Sequence, residues 1–560
     1  MTQYYSDIIN NYFLESNKIL TGEKTAENSL RRYLINTSGC RIPYINPFDK
    51  TVLKYYKYVP PHMCSDRKPL IESNQTSIRI VKSELKNYDV KNIKELLCGY
   101  VEFSVNNKIQ QQQVKKSYDY ENRKRFHSFE DSVNIYSEFI QVLCFYEMKK
   151  IYEDFHTFII PKKAKFEIDP IKKTKRDNDD DNSEKLSVII LGVDSLSRLN
   201  YLRQMPKTNE FIRSHKPFEF FGYNKPTDYH LDKYMRINEK LIGNHLIGVS
   251  YYCLGNRFVT DFLLDYANKF ILNMTYSNKK YWSFFWATAL THDYLNVPSN
   301  NDMSFLKIFK SLVNNNVLNN SMVILMSDHG LRWGSIRETF SGRLEEHMPL
   351  LLIFLPDWFK KKYKTAVKYM RENAYKLTTH FDLHETMKDL LNLNNFKEEN
   401  LNDRILKTRK DRGISLFLPI PENRTCETAG IGVSWCTCNQ IKKISIGNRN
   451  VKKAVQVSVK YINSLLKNYN RCAKLKLSKI LSASLSSTNE DLVIKSKNKI
   501  SDFIVSFLTE PGYGKFESTV RHLTDINKMS VVGHVARINS YGDESKCIFN
   551  ENLKLYCFCI

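Results

Sequence analysis

Strand-length apolar runs in the middle of the chain alternate with stretches of helical periodicity. Ser187–Val193 (SVIILGV) is continuously apolar, as expected for a strand that helices cover on both faces. Apolar residues recur every three or four positions in 257–272 and 303–313, which predicts amphipathic helices, and we predict a further helix at 377–391. The other predicted strands are 218–221, 281–290, 322–326 and 350–355. This alternation predicts an α/β fold with a mostly parallel sheet covered by helices.

Changes in composition divide the chain into four parts. Residues 161–185 contain a basic run followed by an acidic run, with few apolar residues, which is typical of an exposed linker. A second break falls near Pro419 and Pro421, ahead of a cysteine-dense tail. The predicted parts are a cysteine-containing N-terminal region at 1–160, the charged linker at 161–185, the α/β core at 186–420 and a smaller cysteine-rich α+β domain at 421–560.

The composition is that of a globular protein, and the net charge is strongly basic. Hydrophobic residues make up 42% of the chain and charged residues 26%, which argues against wholesale disorder. The net charge of +24 comes from lysines spread along the chain, which is typical of a solvated surface but also suits an anionic glycan. Because no stacking-aromatic or groove-reading motif accompanies this charge, we predict no nucleic-acid partner.

No uncharged apolar run approaches the roughly 20 residues that span a bilayer, so no transmembrane segment is predicted.

The twelve cysteines indicate disulfides and an oxidising compartment. Seven of the twelve lie after residue 420, and an even number clustered in this way is typical of a disulfide framework. One alternative is a structural zinc site built from the two Cys-x-Cys pairs; another is a cytosolic protein with free thiols. The disulfide candidates in the tail are Cys426, Cys436, Cys438, Cys472, Cys547, Cys557 and Cys559.

The first residues of the sequence lack the signal peptide that is expected of a protein in an oxidising compartment. Residues 1–7 (MTQYYSD) lack the basic and apolar blocks of a signal peptide. We therefore expect that the true N-terminus is missing from this sequence and that the protein is extracellular or resides in the secretory lumen. Glycosylation is permitted by sequons at Asn36, Asn74, Asn273, Asn319 and Asn423.

Three of the predicted strands end in residues that can bind metal. Asp194 follows the first strand, His292 follows the third, and Asp328 and His329 follow the fourth. Ligands of open α/β sheets bind beyond the carboxyl ends of the strands, so these side chains can converge on one cation. Carboxylates and neutral imidazoles suit zinc or manganese, which would stabilise negative charge on a phosphoryl or sulfuryl group. For any one of these residues, a helix cap or a turn is the simpler interpretation.

Several motifs together resemble an animal protein family named domain of unknown function 229. The resemblance extends from about Cys40 to the C-terminus. It implies an alkaline-phosphatase-like, sulfatase-like core in a mostly extracellular protein, and it supports the disulfide interpretation. The matching motifs are LGVDSLSR at 191–198, RQMPKT at 203–208, SDHGLRWG at 327–334, HFDLHET at 380–386 and WCTC at 435–438.

The resemblance also implies roles for individual residues. It makes His292 a contact for substrate or for a second metal, in an enzyme that hydrolyses or transfers phosphate or sulfate esters. His380 receives a structural role at the start of a helix. His347 receives no role, because another residue type is expected there. The implied ligands of one zinc or manganese ion are Asp194, Asp328 and His329.

The sequence departs from the family pattern directly after Lys225. Members of the family continue into a segment with a nucleophilic threonine and a later metal-binding aspartate, whereas here Pro226 begins a segment that resembles a much later part of the family. We therefore expect a long internal stretch to be absent near residue 225. Skipped exons in a gene model explain this gap as well as genuine loss does.

The missing stretch affects the expected chemistry. Attack on an ester requires a hydroxyl or an equivalent nucleophile held against the metal. Thr227 is the substitute candidate, although its surroundings match the later family segment. The sequence thus predicts a hydrolase-like protein with an incomplete catalytic set; the alternative is a non-catalytic secreted protein that binds an anionic partner such as a glycan.

Overall fold

The computed structural model describes residues 33–57, 59–60, 62–103, 126–160, 186–226, 252–288, 290–407, 412–487 and 500–560. The predicted linker at 161–185 lies outside these ranges. The α-helices are α1 (Lys50–Leu53), α2 (Arg198–Gln204), α3 (Pro206–Ser214), α4 (Val259–Tyr276), α5 (Asp302–Asn314), α6 (Phe340–His347), α7 (Asp357–Lys362), α8 (Lys364–Asn373), α9 (His380–Asp389), α10 (Glu398–Lys407), α11 (Arg449–Leu465) and α12 (Glu551–Lys554).

The β-strands divide into an N-terminal, a central and a C-terminal group. The N-terminal strands are β1 (Tyr33–Asn36), β2 (Arg41–Pro43), β3 (Ile71–Ser73), β4 (Ser77–Ile80), β5 (Leu97–Phe103), β6 (His127–Phe129), β7 (Ser132–Asn134), β8 (Phe139–Tyr146) and β9 (Lys149–Thr157). The central strands are β10 (Ser187–Val193), β11 (Phe218–Glu219), β12 (Gly222–Asn224), β13 (Cys253–Leu254), β14 (Arg257–Phe258), β15 (Trp282–Ala287), β16 (Ser321–Met326), β17 (Leu351–Phe354) and β18 (Leu377–Thr379). The C-terminal strands are β19 (Gln440–Lys443), β20 (Lys476–Ser487), β21 (Ile500–Glu510), β22 (Lys515–Leu523) and β23 (Lys528–Arg537).

The central sheet has five strands in the order β11-β17-β16-β10-β15. All five strands predicted from the sequence are in this sheet. β10 runs parallel to β15 and to β16, whereas β17 is antiparallel to both β16 and β11. Four of the five described strands of this sheet therefore run in one direction and β17 runs against them, so the sheet is mixed and the predicted mostly parallel arrangement is confirmed. The sequence does not indicate the reversed β17, because a continuous apolar run indicates burial on two faces but carries no information on strand direction.

Helices cover both faces of this sheet, which explains the unbroken apolar sequence of β10. Val188 and Ile190 pack into a core formed with α8, α9 and α10, whereas Ile189 and Leu191 pack on the opposite side with α2 to α5. The predicted helices at 257–272 and 303–313 are present as α4 and α5. The predicted fold class, an α/β core covered by helices, is confirmed.

The third predicted helix, at 377–391, is partly wrong. Its first three residues form β18, which pairs in parallel with β12. Helix α9 begins only at His380 because Thr379 caps it: the Thr379 side chain accepts a bond from the backbone of Phe381, and Asp382 accepts a bond from the Thr379 backbone N–H at 2.7 Å. This reciprocal cap fixes the boundary between strand and helix.

The regions before and after the core are built on antiparallel sheets. In the N-terminal region, β3-β4-β7 and β6-β5-β8-β9 share one apolar core. In the C-terminal region, β19-β20-β21-β22-β23 form a sheet on which α11 packs. Arg343 of α6 donates to Glu517 of β22 at 3.1 Å, which ties the C-terminal sheet to the core. Among the helices of the described ranges, none has the length and apolar character needed to cross a bilayer.

All twelve cysteines form disulfides, and none is free. The predicted disulfide framework is confirmed, and the two alternatives, zinc-binding Cys-x-Cys pairs and free thiols, are wrong, since each of those sulfurs is bonded to another sulfur. The bonds connect distant regions of the chain as well as neighbouring ones. The pairs are Cys40–Cys438, Cys64–Cys253, Cys98–Cys144, Cys426–Cys436, Cys472–Cys557 and Cys547–Cys559.

Candidate metal centre

Two neighbouring strands bring Asp194 and Asp328 together at one edge of the central sheet. β10 and β16 run parallel, with Gly192 opposite Met326. Asp194 lies two positions after Gly192, and Asp328 lies two positions after Met326, so the two carboxylates emerge side by side. This is the convergence that the sequence predicts for the carboxyl ends of parallel strands.

Asp194, Asp328 and His329 form a compact, buried cluster. The atoms that each side chain can offer to a metal lie within 4.8 Å of one another. His329 Nε2 lies 3.2 Å from Asp328 Oδ2 and 3.9 Å from Asp194 Oδ1. The three residues are each less than a tenth exposed, so solvent does little to screen their charges.

Ser195 organises the turn that carries the first carboxylate. Its backbone N–H donates to Asp328 Oδ1 at 3.2 Å, and its hydroxyl donates to Asp194 Oδ1 at 3.0 Å. Its φ of 57° is in the left-handed region, which costs a residue with a side chain about 1–3 kcal/mol. The two bonds hold this strained turn in the position that places both carboxylates against each other.

The imidazole of His329 is oriented by the backbone behind it. Its Nδ1 lies 2.7 Å from the carbonyl oxygen of Gly330, so Nδ1 carries the proton and donates it, which leaves the Nε2 lone pair directed at the carboxylates. Gly330 is required at this point because an added Cβ would lie 2.2 Å from the Glu345 carbonyl oxygen. The close approach allows Gly330 N–H to donate to the Glu346 carbonyl at 2.9 Å, which anchors the loop on α6.

The donor set fits a divalent metal ion. Two carboxylates and one imidazole nitrogen face a common point, and their lone pairs repel one another unless a cation or a proton lies between them. Ligand atoms around a tetrahedral zinc ion are about 3.3 Å apart, close to the 3.2 Å between His329 Nε2 and Asp328 Oδ2. Aspartate and histidine also match the ligand preferences of manganese.

His292 lies near the cluster and is more exposed than its three members. Its Nδ1 is 2.7 Å from Asp293 Oδ1, and its ring packs edge-to-face against Trp333 at 5.5 Å. Burial lowers the pKa of His292, but the hydrogen bond to Asp293 and the negative charge of Asp194 outweigh burial and raise the pKa above its ordinary value. His292 is thus a partly accessible imidazole whose charged form is stabilised by the neighbouring carboxylates. Thr227, the substitute nucleophile candidate, lies outside the described residues.

His380 also lies beside the cluster, which the sequence does not indicate. Its ring packs against Tyr223 at 4.7 Å. Burial, together with the neighbouring His329 and Lys225, lowers the pKa of His380 to about 3, so its imidazole is neutral. His380 lies beside the cluster because it directly follows the end of β18. The sequence predicts one helix over 377–391 and therefore does not indicate this strand end.

His347, to which the sequence assigns no role, belongs to a second buried polar cluster. Its Nε2 lies 3.5 Å from Glu346 Oε2, and Lys225 Nζ lies 3.6 Å from Glu346 Oε1. Burial raises the pKa of Glu346, but the charge of Arg337 outweighs burial and holds the pKa well below its ordinary value. A cavity of about 20 Å³, large enough for one water, adjoins this cluster where the core meets the C-terminal sheet.

The mixed sheet between helical layers, with an Asp-Asp-His cluster at the carboxyl ends of two of its strands, defines an α/β protein with a candidate metal centre. The chain belongs to the family described as protein of unknown function DUF229, whose family model matches residues 57–228 and 224–481. The two matched segments meet at residues 224–228, where the sequence predicts the internal gap.

Two solved structures are similar to this chain at low identity. A protein of the alkaline phosphatase superfamily from Vibrio parahaemolyticus is 10% identical, with 67% of this chain and 86% of that chain covered and a TM-score of 0.27. The lipoteichoic acid synthase LtaP from Listeria monocytogenes is 8% identical, with 31% of this chain and 66% of that chain covered and a TM-score of 0.23. No curated protein matches the chain.

Proposed function

We propose that this chain binds one divalent cation, zinc or manganese, through Asp194, Asp328 and His329, and that it descends from ester-cleaving proteins but is impaired in turnover. The observation that carries the metal assignment is the convergence of three ligand atoms within 4.8 Å in a buried site. When bound, such a cation supplies positive charge that stabilises a phosphoryl or sulfuryl group and lowers the pKa of a bound hydroxyl.

The chain's own residues would prepare the site for an anionic ester. Ser195 fixes the orientation of Asp194, and the Gly330 carbonyl fixes the tautomer of His329. His292 is more accessible than these residues and offers ring nitrogens that can donate hydrogen bonds, so it is suited to contact the negative oxygens of a phosphate or a sulfate. The substrate class that we propose is therefore a phosphate or sulfate ester.

The impairment concerns the attacking group. Within the described ranges, two serine hydroxyls contact the ligands, and both are engaged: Ser195 donates to Asp194, while Ser327 donates to the His329 carbonyl at 2.9 Å and accepts from the Leu196 N–H at 2.9 Å. Each bond holds its hydroxyl in a supporting position and not against an incoming ester. The junction of the two family-model segments at 224–228 further supports the absence of the stretch that carries the nucleophilic threonine.

We also propose that the protein works outside the cell or in the secretory lumen. Six disulfides are stable in an oxidising compartment and would be reduced in the cytosol. The sequon asparagines Asn36, Asn74, Asn319 and Asn423 are exposed, as glycosylation requires. An extracellular ester, such as one carried by a glycan or a lipid, is accessible to a protein in this location.

Metal titration and ester assays on the same preparation test both parts of this proposal. We expect zinc or manganese at 100 times its dissociation constant to increase the free energy of unfolding by about 2.7 kcal/mol, measured as a thermal shift that a chelator reverses. We expect no turnover of phosphate or sulfate esters above that of the Asp194→Asn variant. The absence of any metal-dependent shift would contradict the metal site, whereas metal-dependent turnover that Asp194→Asn abolishes would contradict the impairment.

The internal gap has a separate test at the level of the transcript. RNA reads that join the codons of Lys225 and Pro226 directly would establish that the protein lacks the nucleophile segment. Reads that contain intervening coding sequence would overturn the impairment. The longer protein would then contain the segment that carries the nucleophile, and we would expect it to cleave esters.

A further inference from the structure

One segment of the C-terminal region is purely basic. Residues 428–489 contain eleven lysines and arginines and neither aspartate nor glutamate. The rest of the chain mixes the two signs of charge, so a dispersed surface charge does not account for a run of 62 residues with a single sign. The cations are Lys442, Lys443, Arg449, Lys452, Lys453, Lys460, Lys467, Arg471, Lys474, Lys476 and Lys479.

Helix α11 arranges four of these cations on one side. Val451, Ala454, Val455, Ser458 and Ile462 are buried against the C-terminal sheet. At 3.6 residues per turn, Arg449, Lys452, Lys453 and Lys460 lie within an arc of about 100° on the opposite, outward side. We call these four residues the basic face. The other outward positions are Gln456, Asn463 and Ser464, which are hydrogen-bonding residues and not aromatic ones.

The loop after α11 extends the basic face. The side chain of Asn463 holds both backbone groups of Leu475, donating to its carbonyl at 2.8 Å and accepting from its N–H at 2.9 Å. This bridge keeps the exposed Lys474 near the end of the helix. The Cys472–Cys557 disulfide anchors the same loop beside the exposed Arg471. The positive charge is therefore displayed on a fixed surface.

The four cations of the basic face do not stabilise helix α11. The first turn of α11 has no acidic residue, although negative charge is favoured at a helix N-terminus, and it begins with Arg449. Arg449 lies three and four residues from Lys452 and Lys453, a spacing at which like charges repel. Within the described part of the chain, none of the four cations forms an ion pair that would offset this repulsion.

We propose that the basic face is a binding surface for a sulfated glycan. A linear polyanion complements a linear set of cations whose own segment carries no carboxylate, and release of its counterions supplies the affinity. The disulfide framework places the surface in an oxidising compartment, where sulfated polysaccharides are the abundant polyanions. The exposed Gln456 lies among these cations and is suited to hydrogen-bond a sugar, and no aromatic residue lies within their arc, whereas binding of single-stranded nucleic acid uses stacking aromatics. The surface is separate from the Asp194 cluster, and it rests on no part of the proposed metal function.

Heparin binding by the full chain tests this proposal. We expect the triple variant Lys452→Gln, Lys453→Gln and Lys460→Gln to lose on the order of ten- to a hundred-fold in heparin affinity at physiological salt. The slope of log affinity against log salt should fall by about 2 to 3, since three charge contacts are lost. Glutamine is a good helix former, and unchanged circular dichroism and melting temperature establish that the variant folds.

The matched control removes three exposed lysines from the N-terminal region, by Lys86→Gln, Lys91→Gln and Lys94→Gln. The control has the same net charge as the triple variant, and we expect it to keep the parent affinity within two-fold. Equal losses in the two variants would overturn the proposal, because the binding would then follow net charge alone. Equal affinity for heparin and for unsulfated hyaluronan would also overturn it, as would tighter binding of single-stranded DNA than of heparin at the same salt concentration.

Discussion

The Asp328→Asn variant is expected to bind zinc or manganese at least about 100-fold more weakly than the parent chain, measured by calorimetric titration. Replacement of groups that only support a metal ligand already costs 10- to 100-fold in affinity, and this change removes a charged ligand itself. Asparagine retains the shape of aspartate and an oxygen that can accept the bonds from the Ser195 and His329 N–H groups. The loss of affinity should therefore come from the missing charge and not from a collapsed loop.

The matched control for Asp328→Asn is Asp357→Asn. The Asp357 side chain is 84% exposed at the start of α7, and its change should leave metal affinity unaltered. Without metal, Asp328→Asn should melt at the parent temperature or above it, because it relieves repulsion between two buried carboxylates. Parent-like metal affinity in Asp328→Asn would show that the cluster is a buried polar group without a metal function.

The Arg424→Ala variant is expected to be destabilised by about 3–5 kcal/mol, the cost of leaving a buried carboxylate without its partner. Arg424 donates to both carboxylate oxygens of Asp382, at 2.9 and 2.8 Å, and the Asp382 side chain is fully buried. Asp382 also accepts bonds from the backbone of Thr379 and Ile414, so it cannot turn toward solvent. Urea unfolding followed by tryptophan fluorescence measures the effect.

Two further variants separate the unpaired charge from a general loss of packing. Arg521 makes a similar two-bond pair with Asp502, but its side chain is 33% exposed, so Arg521→Ala should cost about 1 kcal/mol or less. Removing both charges of the buried pair, by Arg424→Gln with Asp382→Asn, should recover part of the stability lost in Arg424→Ala. A double variant less stable than Arg424→Ala would contradict the explanation by an uncompensated charge.

The sequence predicts the strands of the core well, because continuous burial leaves a clear apolar signature. Ser187–Val193 is a strand with the predicted bounds. Strand direction is not predictable in the same way, since β17 runs antiparallel to β16 although its sequence is as apolar as that of a parallel strand. The sequence does not predict the short β18, because three residues, Leu377–Thr379, precede a helix of similar composition and only the cap at Thr379 separates the two.

The candidate site was predictable where a residue directly follows a strand. Asp194 and Asp328 follow adjacent strands, so their convergence follows from the parallel pairing of those strands. The roles of Ser195 and Gly330 depend on a left-handed turn and on a close approach to α6, which no sequence pattern of this kind encodes. The position of His380 depends on β18, which the sequence does not predict. Only the structure therefore shows that His380 lies near the cluster.

Anomalous X-ray diffraction at the zinc edge, from crystals of the full chain grown with zinc, tests the central claim most directly. The account predicts a strong peak within bonding distance of Asp194, Asp328 and His329, with no such peak for the Asp328→Asn variant. A zinc-saturated crystal with no density among these three side chains, or with zinc held only by other residues, would contradict it.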